Sequence, residues 1–233
     1  MKVAVIPARG GSKRIPRKNI KSFLGRPMIA WSIKVARDSG LFDRIIVSTD
    51  DDEIAGISES LGAEVPFRRP AELANDHTST APVIAHAIRK LEDAGYTTRY
   101  ACCIYPCAPT IRAADLALAL QCLQADKVSF AYPVARYAHP IQRAMRMGAT
   151  GAMAFAFPEN ELTRTQDLEP MFHDAGQFYF GLAQAWLSGA RMHTAGIGFE
   201  IPSWRVVDID HEDDWTRAEL LVRSQGASGP CGP

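Results

Sequence analysis

The sequence lacks an excess of charge of either sign, because 26 lysine and arginine residues balance 26 aspartate and glutamate residues. A balanced chain has no overall field that would draw it to nucleic acid or to an anionic membrane, so an electrostatic function must rest on local clusters. No apolar run approaches the length that spans a membrane, and the apolar opening is too short for a signal peptide. We therefore predict a cytoplasmic protein with no nucleic-acid partner and no membrane partner.

Cysteine is also scarce. The chain has five cysteines, which is an odd number, and no CxxC spacing occurs. Cys102, Cys103 and Cys107 lie in or just after an apolar, strand-like run. This placement favours buried reduced thiols over disulfide bonds or zinc ligands.

Short apolar runs alternate with helical patterns along the chain. Strands are expected at residues 3–6, 44–49, 63–67, 100–105, 128–134, 177–181, 197–201 and 205–210. Helices are expected at residues 27–39, 50–61, 78–92, 113–123, 182–187 and 211–224, with Asp50 as a candidate cap of the second. The alternation predicts an α/β fold with a mainly parallel sheet flanked by helices, in which ligands bind at the carboxyl ends of the strands.

The pattern weakens between residues 135 and 172, and we expect this segment to be an excursion from one domain that spans residues 1–224. An excursion of this kind needs something to pack against, and a second subunit is the candidate. Residues 225–233 are small, polar and rich in glycine and proline, which predicts a disordered tail.

The loop after the first strand concentrates positive charge. Its glycines and cations are Arg9, Gly10, Gly11, Lys13, Arg14, Arg17 and Lys18. A glycine pair lets the backbone approach an anion, and lysine and arginine supply charge-assisted donors, so the loop suits a polyphosphate. The GxxxxGK[ST] and GxGxxG spacings are absent, so neither a P-loop nor a dinucleotide fingerprint is indicated. A plain basic surface turn is the alternative, but Pro7 and Pro16 stiffen the loop and favour a preorganised site.

Two aspartates near the end of the chain suggest a metal site. Asp208 and Asp210 alternate along an expected strand, so both side chains point to one face, about 7 Å apart. Paired carboxylates suit Mg²⁺, which takes oxygen ligands and keeps part of its water. The alternative is that Asp210 only caps the final helix, but capping would explain Asp210 and leave Asp208 without a role.

These motifs resemble those of the CMP-sialic acid synthetase family of cytidylyltransferases. The matching stretches are ARGGSKRIPRKNI at residues 8–20, RPAEL at residues 69–73 and VDID at residues 207–210. The resemblance implies a Rossmann-like nucleotidyltransferase fold, CTP as a substrate, and Mg²⁺ held by Asp208 and Asp210. Catalysis would then rest on Arg9, Lys13, Lys18, Asp208 and Asp210. The implied CTP-binding residues are Ala8, Arg9, Gly10, Gly11, Ser12, Lys13, Lys18, Arg69, Thr78, Ser79 and Thr80.

Other stretches depart from the sialic acid branch and resemble the branch that activates pseudaminic acid. They are CCIYPCAP at residues 102–109, TRTQDL at residues 163–168 and HDAGQFYF at residues 173–180. The implied sugar-binding residues are Tyr105, Gln142, Arg143, Arg164, Gln166, His173, Asp174 and Gln177. A lone histidine such as His173 is more often a satisfied polar residue than a catalyst, and that alternative stays open.

The resemblance implies that CTP and pseudaminic acid, a nine-carbon α-keto acid sugar, give CMP-pseudaminic acid and pyrophosphate for surface-glycan or flagellin glycosylation. The anomeric hydroxyl would attack the α-phosphorus in line. It also implies a homodimer in which residues 135–172 complete the sugar site of the partner subunit. Two alternatives remain: N-acetylneuraminic acid, legionaminic acid or KDO as the acceptor, and a nucleotide-binding protein without turnover.

Overall fold

The computed structural model describes residues 1–125 and 128–225. The strands are β1 (Lys2–Pro7), β2 (Ser22–Phe23), β3 (Arg26–Pro27), β4 (Arg44–Ser48), β5 (Tyr100–Ile104), β6 (Phe130–Arg136), β7 (Met145–Met147), β8 (Met153–Phe155), β9 (Phe172–Asp174), β10 (Phe178–Leu182) and β11 (Gly196–Glu200). The helices are α1 (Ile29–Asp38), α2 (Asp52–Ser60), α3 (Thr80–Asp93), α4 (Ala113–Ala125), α5 (Ala183–Leu187) and α6 (Glu212–Ser224).

A seven-stranded sheet organises the fold, in the order β11-β6-β10-β5-β1-β4, with β9 also paired to β6. β1 runs parallel to both β4 and β5, and β11 runs parallel to β6. β10 is antiparallel to its neighbours β5 and β6, so it is the reversed strand in an otherwise parallel path. The prediction of a mainly parallel sheet is confirmed, and the carboxyl ends of β1, β4 and β5 meet at one edge.

Helices cover both faces of this sheet because its central strands are apolar on both sides. On β1, Ala4 and Ile6 pack into the cluster that contains α1, α2 and α4, whereas Val3 and Val5 pack against α3 and α5. Successive side chains of a strand point to opposite faces, so a continuous apolar run is needed to fill two layers. A third cluster joins the basic loop to the end of the chain, and it contains Ile15, Phe23, Met28, Val207, Ile209, Trp215, Ala218 and Val222.

Two of the expected strands are wrong. Residues 63–67 form only an isolated bridge, in which Glu64 pairs with Ile46. Residues 205–210 form no strand: a 3₁₀ turn at Ser203–Arg205 leads into an extended segment outside the sheet. The alternation that suggested a strand is still present there, because Val207 and Ile209 are buried in the third cluster while Asp208 is exposed.

The helix caps also differ from the expected ones. The cap of α2 is Asp51 and not Asp50, since Asp51 Oδ1 accepts the Ile54 N–H at 2.9 Å. At α6, Asp214 Oδ2 accepts the N–H groups of Asp210 and His211 at 3.1 and 2.9 Å, and His211 is the N-cap residue. The Asp210 carboxylate is therefore not used as the cap.

The excursion has no core of its own. Of residues 135–172, only Ala135, at the end of β6, is buried, and the short strands β7 and β8 pair only with each other. Elsewhere, Cys102 and Cys103 are buried, as predicted, whereas Cys107 and Cys122 are only partly buried. No helix within the described part of the chain is long and apolar enough to cross a membrane. The predicted tail lies outside the described residues from position 226 onward, and Cys231 with it.

Candidate active site

A cavity of about 260 Å³ opens at the carboxyl ends of β1 and β5. It is lined by Pro7, Arg9, Ser12, Lys13, Arg14, Ile15, Lys18, Asn19, Arg69, Leu73, Asn75, Asp76, Thr78, Ser79, Thr80, Val83 and Tyr105. Eight residues of the predicted CTP set line it: Arg9, Ser12, Lys13, Lys18, Arg69, Thr78, Ser79 and Thr80. Its walls thus combine clustered cations with hydroxyl groups, which is a surface suited to phosphate and sugar oxygens.

The basic loop is shaped by its contact with the start of α2. A Cβ atom on Gly10 would lie 2.7 Å from Asp51 Oδ2, so a residue without a side chain is required at this position. The Gly10 N–H donates to Asp50 Oδ1 at 3.0 Å, so this donor has a partner within the protein. Gly10, Ala8 and Gly11 are not among the lining residues of the cavity.

Arg17 is a cation of the loop that serves the fold. It has a positive φ of 54°, and its guanidinium donates to Asp51 at 2.5 and 3.0 Å and also contacts Glu53. The pKa of the Asp51 carboxyl is lowered, chiefly by the hydrogen bond from Arg17. Sequence composition could not separate this cation from those that line the cavity.

Arg9 and Lys13 converge on one carboxylate across the cavity. Arg9 Nη1 lies 2.5 Å from Asp76 Oδ1, and Lys13 Nζ lies 2.5 Å from Asp76 Oδ2. These two cations lower the pKa of Asp76 to about 2, with Lys13 having the larger effect. Asp76 lies two residues before Thr78, the first of the three predicted CTP-binding residues Thr78, Ser79 and Thr80, but no sequence pattern indicated this pairing.

Arg69 forms the floor of the cavity and is buried, with 6% of its surface exposed. Its Nε donates to Ser48 Oγ at 3.1 Å, Nη2 donates to the Ser48 carbonyl, and its own N–H donates to Thr49 O at 2.8 Å. Burial lowers its pKa to about 10, so the side chain remains a cation at neutral pH. The carboxyl end of β4 therefore fixes a positive charge below the cavity.

The two aspartates lie beside the same cations. Arg14 Nη1 is 2.7 Å from Asp210 Oδ2, while Lys18 Nζ donates to Ile209 O at 2.6 Å and lies 3.7 Å from Asp210 Oδ1. Burial raises the pKa of Asp208, and the neighbouring Asp210 carboxylate raises it further. Two carboxylates that repel each other form an all-oxygen donor set that fits Mg²⁺. No group of three metal-ligating side chains occurs among residues 1–125 and 128–225, so further ligands would be phosphate oxygens or water.

Gln177 is not at the cavity, contrary to the prediction that it binds sugar. It is 2% exposed, and its Nε2 donates to Thr110 Oγ1 and to Arg205 O, each at 3.0 Å. The same Arg205 forms a buried ion pair with Asp115. These contacts fix the backbone just before Asp208, so Gln177 supports the aspartate segment through the fold.

The other predicted sugar residues are divided among three places. Tyr105 lines the first cavity, where its Oη lies 2.7 Å from Thr80 Oγ1, and burial raises its pKa. His173 and Asp174 line a second cavity of about 490 Å³ at the ends of β6 and β11. Neither cavity is lined by the other four predicted sugar residues: Gln142, Arg143, Arg164 and Gln166.

The Asp174 carboxylate contacts three polar groups at the second cavity. Its Oδ2 accepts the Tyr179 hydroxyl at 2.5 Å and lies 2.7 Å from His193 Nε2, while Oδ1 accepts the Gly176 N–H at 2.8 Å. The Tyr105 and Tyr179 rings meet edge to face with centroids 5.8 Å apart, so aromatic side chains separate the two cavities. His193 was missed from the sequence because it is far from every motif.

The excursion residues are held by contacts within the excursion. Gln142 Nε2 donates to Glu169 O at 2.9 Å, Arg143 Nη1 donates to Thr163 O at 3.0 Å, and Arg164 Nε donates to Asp167 at 2.7 Å. Within one subunit, therefore, these side chains do not meet the cavity residues.

Sequence comparison finds similar proteins over almost the whole chain. A sequence model described as cytidylyltransferase matches residues 3–180. A pseudaminic acid cytidylyltransferase of Campylobacter jejuni subsp. jejuni serotype O:23/36 is 37% identical over 224 residues, which cover 95% of this chain and 96% of that protein. A protein of Helicobacter pylori named pseudaminic acid cytidylyltransferase and UDP-2,4-diacetamido-2,4,6-trideoxy-beta-L-altropyranose hydrolase is 32% identical over 90% of this chain and 40% of its own length.

The fold has a counterpart among solved structures. A CMP:2-keto-3-deoxy-manno-octonic acid synthetase, solved in complex with CTP, superposes with a TM-score of 0.71 at 18% sequence identity. The match covers 96% of this chain and 99% of the other. At this identity the match supports the Rossmann-like fold alone. From the sequence model and the identity over almost its whole length, the chain belongs to the cytidylyltransferase family.

Proposed function

We propose that this protein transfers CMP from CTP to pseudaminic acid, giving CMP-pseudaminic acid and pyrophosphate for surface-glycan or flagellin glycosylation. The observation that carries the chemistry is the cavity in which Arg9, Lys13, Lys18 and Arg69 surround one space beside Asp208 and Asp210. The relative from Campylobacter jejuni, named for the same reaction, supports pseudaminic acid as the acceptor. A reaction that consumes CTP is also our reason for proposing a cytoplasmic location.

The cations of this chain would act by binding and orienting the triphosphate. Phosphoryl and nucleotidyl transfer need little covalent help from a protein, so position and charge stabilisation account for most of the rate. Arg9 and Lys13 are more exposed than Lys18 and Arg69, so they suit the terminal phosphates, which leave as pyrophosphate. Lys18 lies between the cavity and the aspartate segment, so it suits the α-phosphate, where the anomeric hydroxyl attacks and the bond to pyrophosphate breaks.

Asp208 and Asp210 would hold Mg²⁺. When bound, the ion would neutralise charge that develops on the phosphate oxygens. The donor set fits, since both groups are carboxylates. The pKa of Asp208 is raised first by burial and then by the Asp210 carboxylate, and a bound cation would offset both effects. Arg14 now pairs with Asp210 and would have to release it.

We further propose a homodimer in which the excursion of one subunit completes the sugar site of the other. Of twelve exposed large apolar side chains among the described residues, eight lie between positions 137 and 172. They are Tyr137, Met145, Met147, Met153, Phe157, Leu162, Met171 and Phe172. An apolar patch this dense on a segment without buried residues is typical of an interface. Arg143 and Arg164 would then supply a cation for the acceptor carboxylate.

The test measures pyrophosphate release from CTP with Mg²⁺ and, separately, pseudaminic, legionaminic, N-acetylneuraminic and KDO acceptors. Release with pseudaminic acid alone supports the proposal. Release with another acceptor would support the proposed reaction and refute pseudaminic acid as its acceptor. If no acceptor gives release while CTP still binds, the chain is a nucleotide-binding protein without turnover.

A further inference from the structure

Asp76 faces the cations that the proposed function assigns to the triphosphate. Its two carboxylate oxygens each lie 2.5 Å from a cation, Oδ1 from Arg9 and Oδ2 from Lys13. A carboxylate that bridges two cations in this way makes the contacts that a phosphate group would make with them. One negative charge of the chain therefore partly offsets the positive charge of Arg9 and Lys13 before any nucleotide enters.

The turn that carries Asp76 is built to present it. Asn75 Oδ1 accepts the N–H groups of His77 and Thr78 at 2.8 and 2.9 Å, and Asn75 Nδ2 donates to Glu72 O at 2.7 Å. These contacts close the turn on itself and direct Asp76 across the cavity toward the basic loop. Asp76 has no role in the turn's own hydrogen bonds, so its carboxylate is available for the cations.

We propose that Asp76 is an internal counter-anion that competes with the phosphates of the nucleotide for Arg9 and Lys13. The proposal rests on the proposed function, because it needs a polyphosphate ligand at this cavity. A ligand that must displace an internal group binds only to those protein molecules in which that group has moved away. Its apparent affinity is therefore the intrinsic affinity multiplied by the fraction of such molecules. Asp76 would therefore weaken CTP and pyrophosphate, and it would favour ligands with enough negative charge to displace it.

The consequence for the reaction is selectivity by charge and faster release of product. CTP carries a full triphosphate and can displace Asp76 from both cations. Pyrophosphate remains after transfer, and the returning carboxylate would help to expel it. Cytidine carries no phosphate, so its binding should not depend on Asp76.

The experiment is titration calorimetry of CTP, pyrophosphate and cytidine with the wild-type protein, Asp76→Asn and Asp76→Glu. Asp76→Asn keeps the size of the side chain and removes its charge. We expect CTP and pyrophosphate to bind about three- to tenfold more tightly to Asp76→Asn, which corresponds to the loss of two partly exposed ion pairs. Cytidine should bind equally to the wild-type protein and to Asp76→Asn. Asp76→Glu keeps the negative charge, so it should bind CTP and pyrophosphate more weakly than Asp76→Asn does.

Asp93→Asn is the matched control, because Asp93 is an aspartate whose carboxylate pairs with Lys90 at 3.8 Å, away from the cavity. It should change none of the three affinities. Equal or weaker binding of CTP and pyrophosphate by Asp76→Asn would overturn the proposal, and would mean that Asp76 positions the cations. If Asp76→Asn alters the melting temperature, Asp76→Ser replaces it in the same titrations. Absence of CTP binding by the wild-type protein would instead refute the proposed function.

Discussion

The nucleotide cavity and the excursion differ in how far one chain completes them. The cavity is bounded by elements from distant parts of the sequence, and its charges find partners across those elements, as Arg9 does with Asp76 and Lys18 with Ile209. Residues 136–172 of the excursion include no buried residue, and Gln142, Arg143 and Arg164 donate hydrogen bonds to other groups of the excursion. The nucleotide cavity is therefore formed within one subunit, whereas the excursion exposes apolar side chains that only another surface can cover.

This difference has a functional meaning. CTP binding is expected to be a property of a single chain, whereas acceptor binding is expected to depend on assembly. Substitutions in the two regions should then separate into two classes, one that changes CTP kinetics and one that changes acceptor kinetics. The following predictions test that separation, beginning with the largest expected effect.

Asp208→Asn should reduce turnover about 100- to 1,000-fold, because it removes one of two carboxylates expected to hold the cation that stabilises charge on the phosphates. The measurement is kcat from pyrophosphate release at saturating CTP. Asp213→Asn is the control, since Asp213 is an exposed acid in the first turn of α6. A variant Asp208→Asn with kcat near that of the wild type would contradict the assignment of the metal site.

Lys18→Met should raise the KM for CTP about 10- to 100-fold, since a lost hydrogen bond to a charged group costs about 1.5–3 kcal/mol. It should leave the KM for the acceptor nearly unchanged. Lys21→Met is the matched control: Lys21 pairs with Glu212 at 2.7 Å and does not line the cavity. An equal rise of both KM values in Lys18→Met would break the separation between the two regions.

The double substitution Met147→Glu with Leu162→Glu should dissociate the proposed dimer and raise the KM for the acceptor about tenfold or more. Both side chains are strongly exposed, at 73% and 95%, so neither change removes core packing. Sedimentation velocity would measure the association state, and CTP binding should stay at the wild-type value. If the double variant is a monomer with an unchanged acceptor KM, the proposal of a shared sugar site is refuted. A wild-type protein that is fully active as a monomer would refute it as well.

The same two regions show how far the sequence could be interpreted. The alternating pattern was sufficient for most of the sheet, and the basic loop was sufficient for one side of the cavity, because both depend on residues that are near one another in the chain. Arg69, Thr78, Ser79 and Thr80 come from distant parts of the sequence and were predicted only through the family resemblance. Asp76 and His193 could not be assigned from sequence, since their partners lie across loops that only the folded chain brings together.

Two wrong expectations have a common cause. Residues 205–210 show the alternation of a strand, but burial of Val207 and Ile209 in the third cluster satisfies that pattern without a neighbouring strand. Gln177 lies next to a predicted loop, yet its side chain turns inward to the Arg205 carbonyl. Periodicity reports which side chains are buried, and it does not report what they are buried against.

The smallest predicted effect concerns stability. Leu162→Ala should change the free energy of unfolding of the isolated subunit by less than about 0.5 kcal/mol, because Leu162 is 95% exposed there. Phe180→Ala, at a fully buried position of β10, should cost about 3–5 kcal/mol. Urea unfolding at several protein concentrations distinguishes the cases. If the subunits associate through the excursion, Leu162→Ala should lower the free energy of unfolding by an amount that grows with protein concentration, because only the associated state buries this side chain. A concentration-independent loss would mean that Leu162 is already packed within one chain.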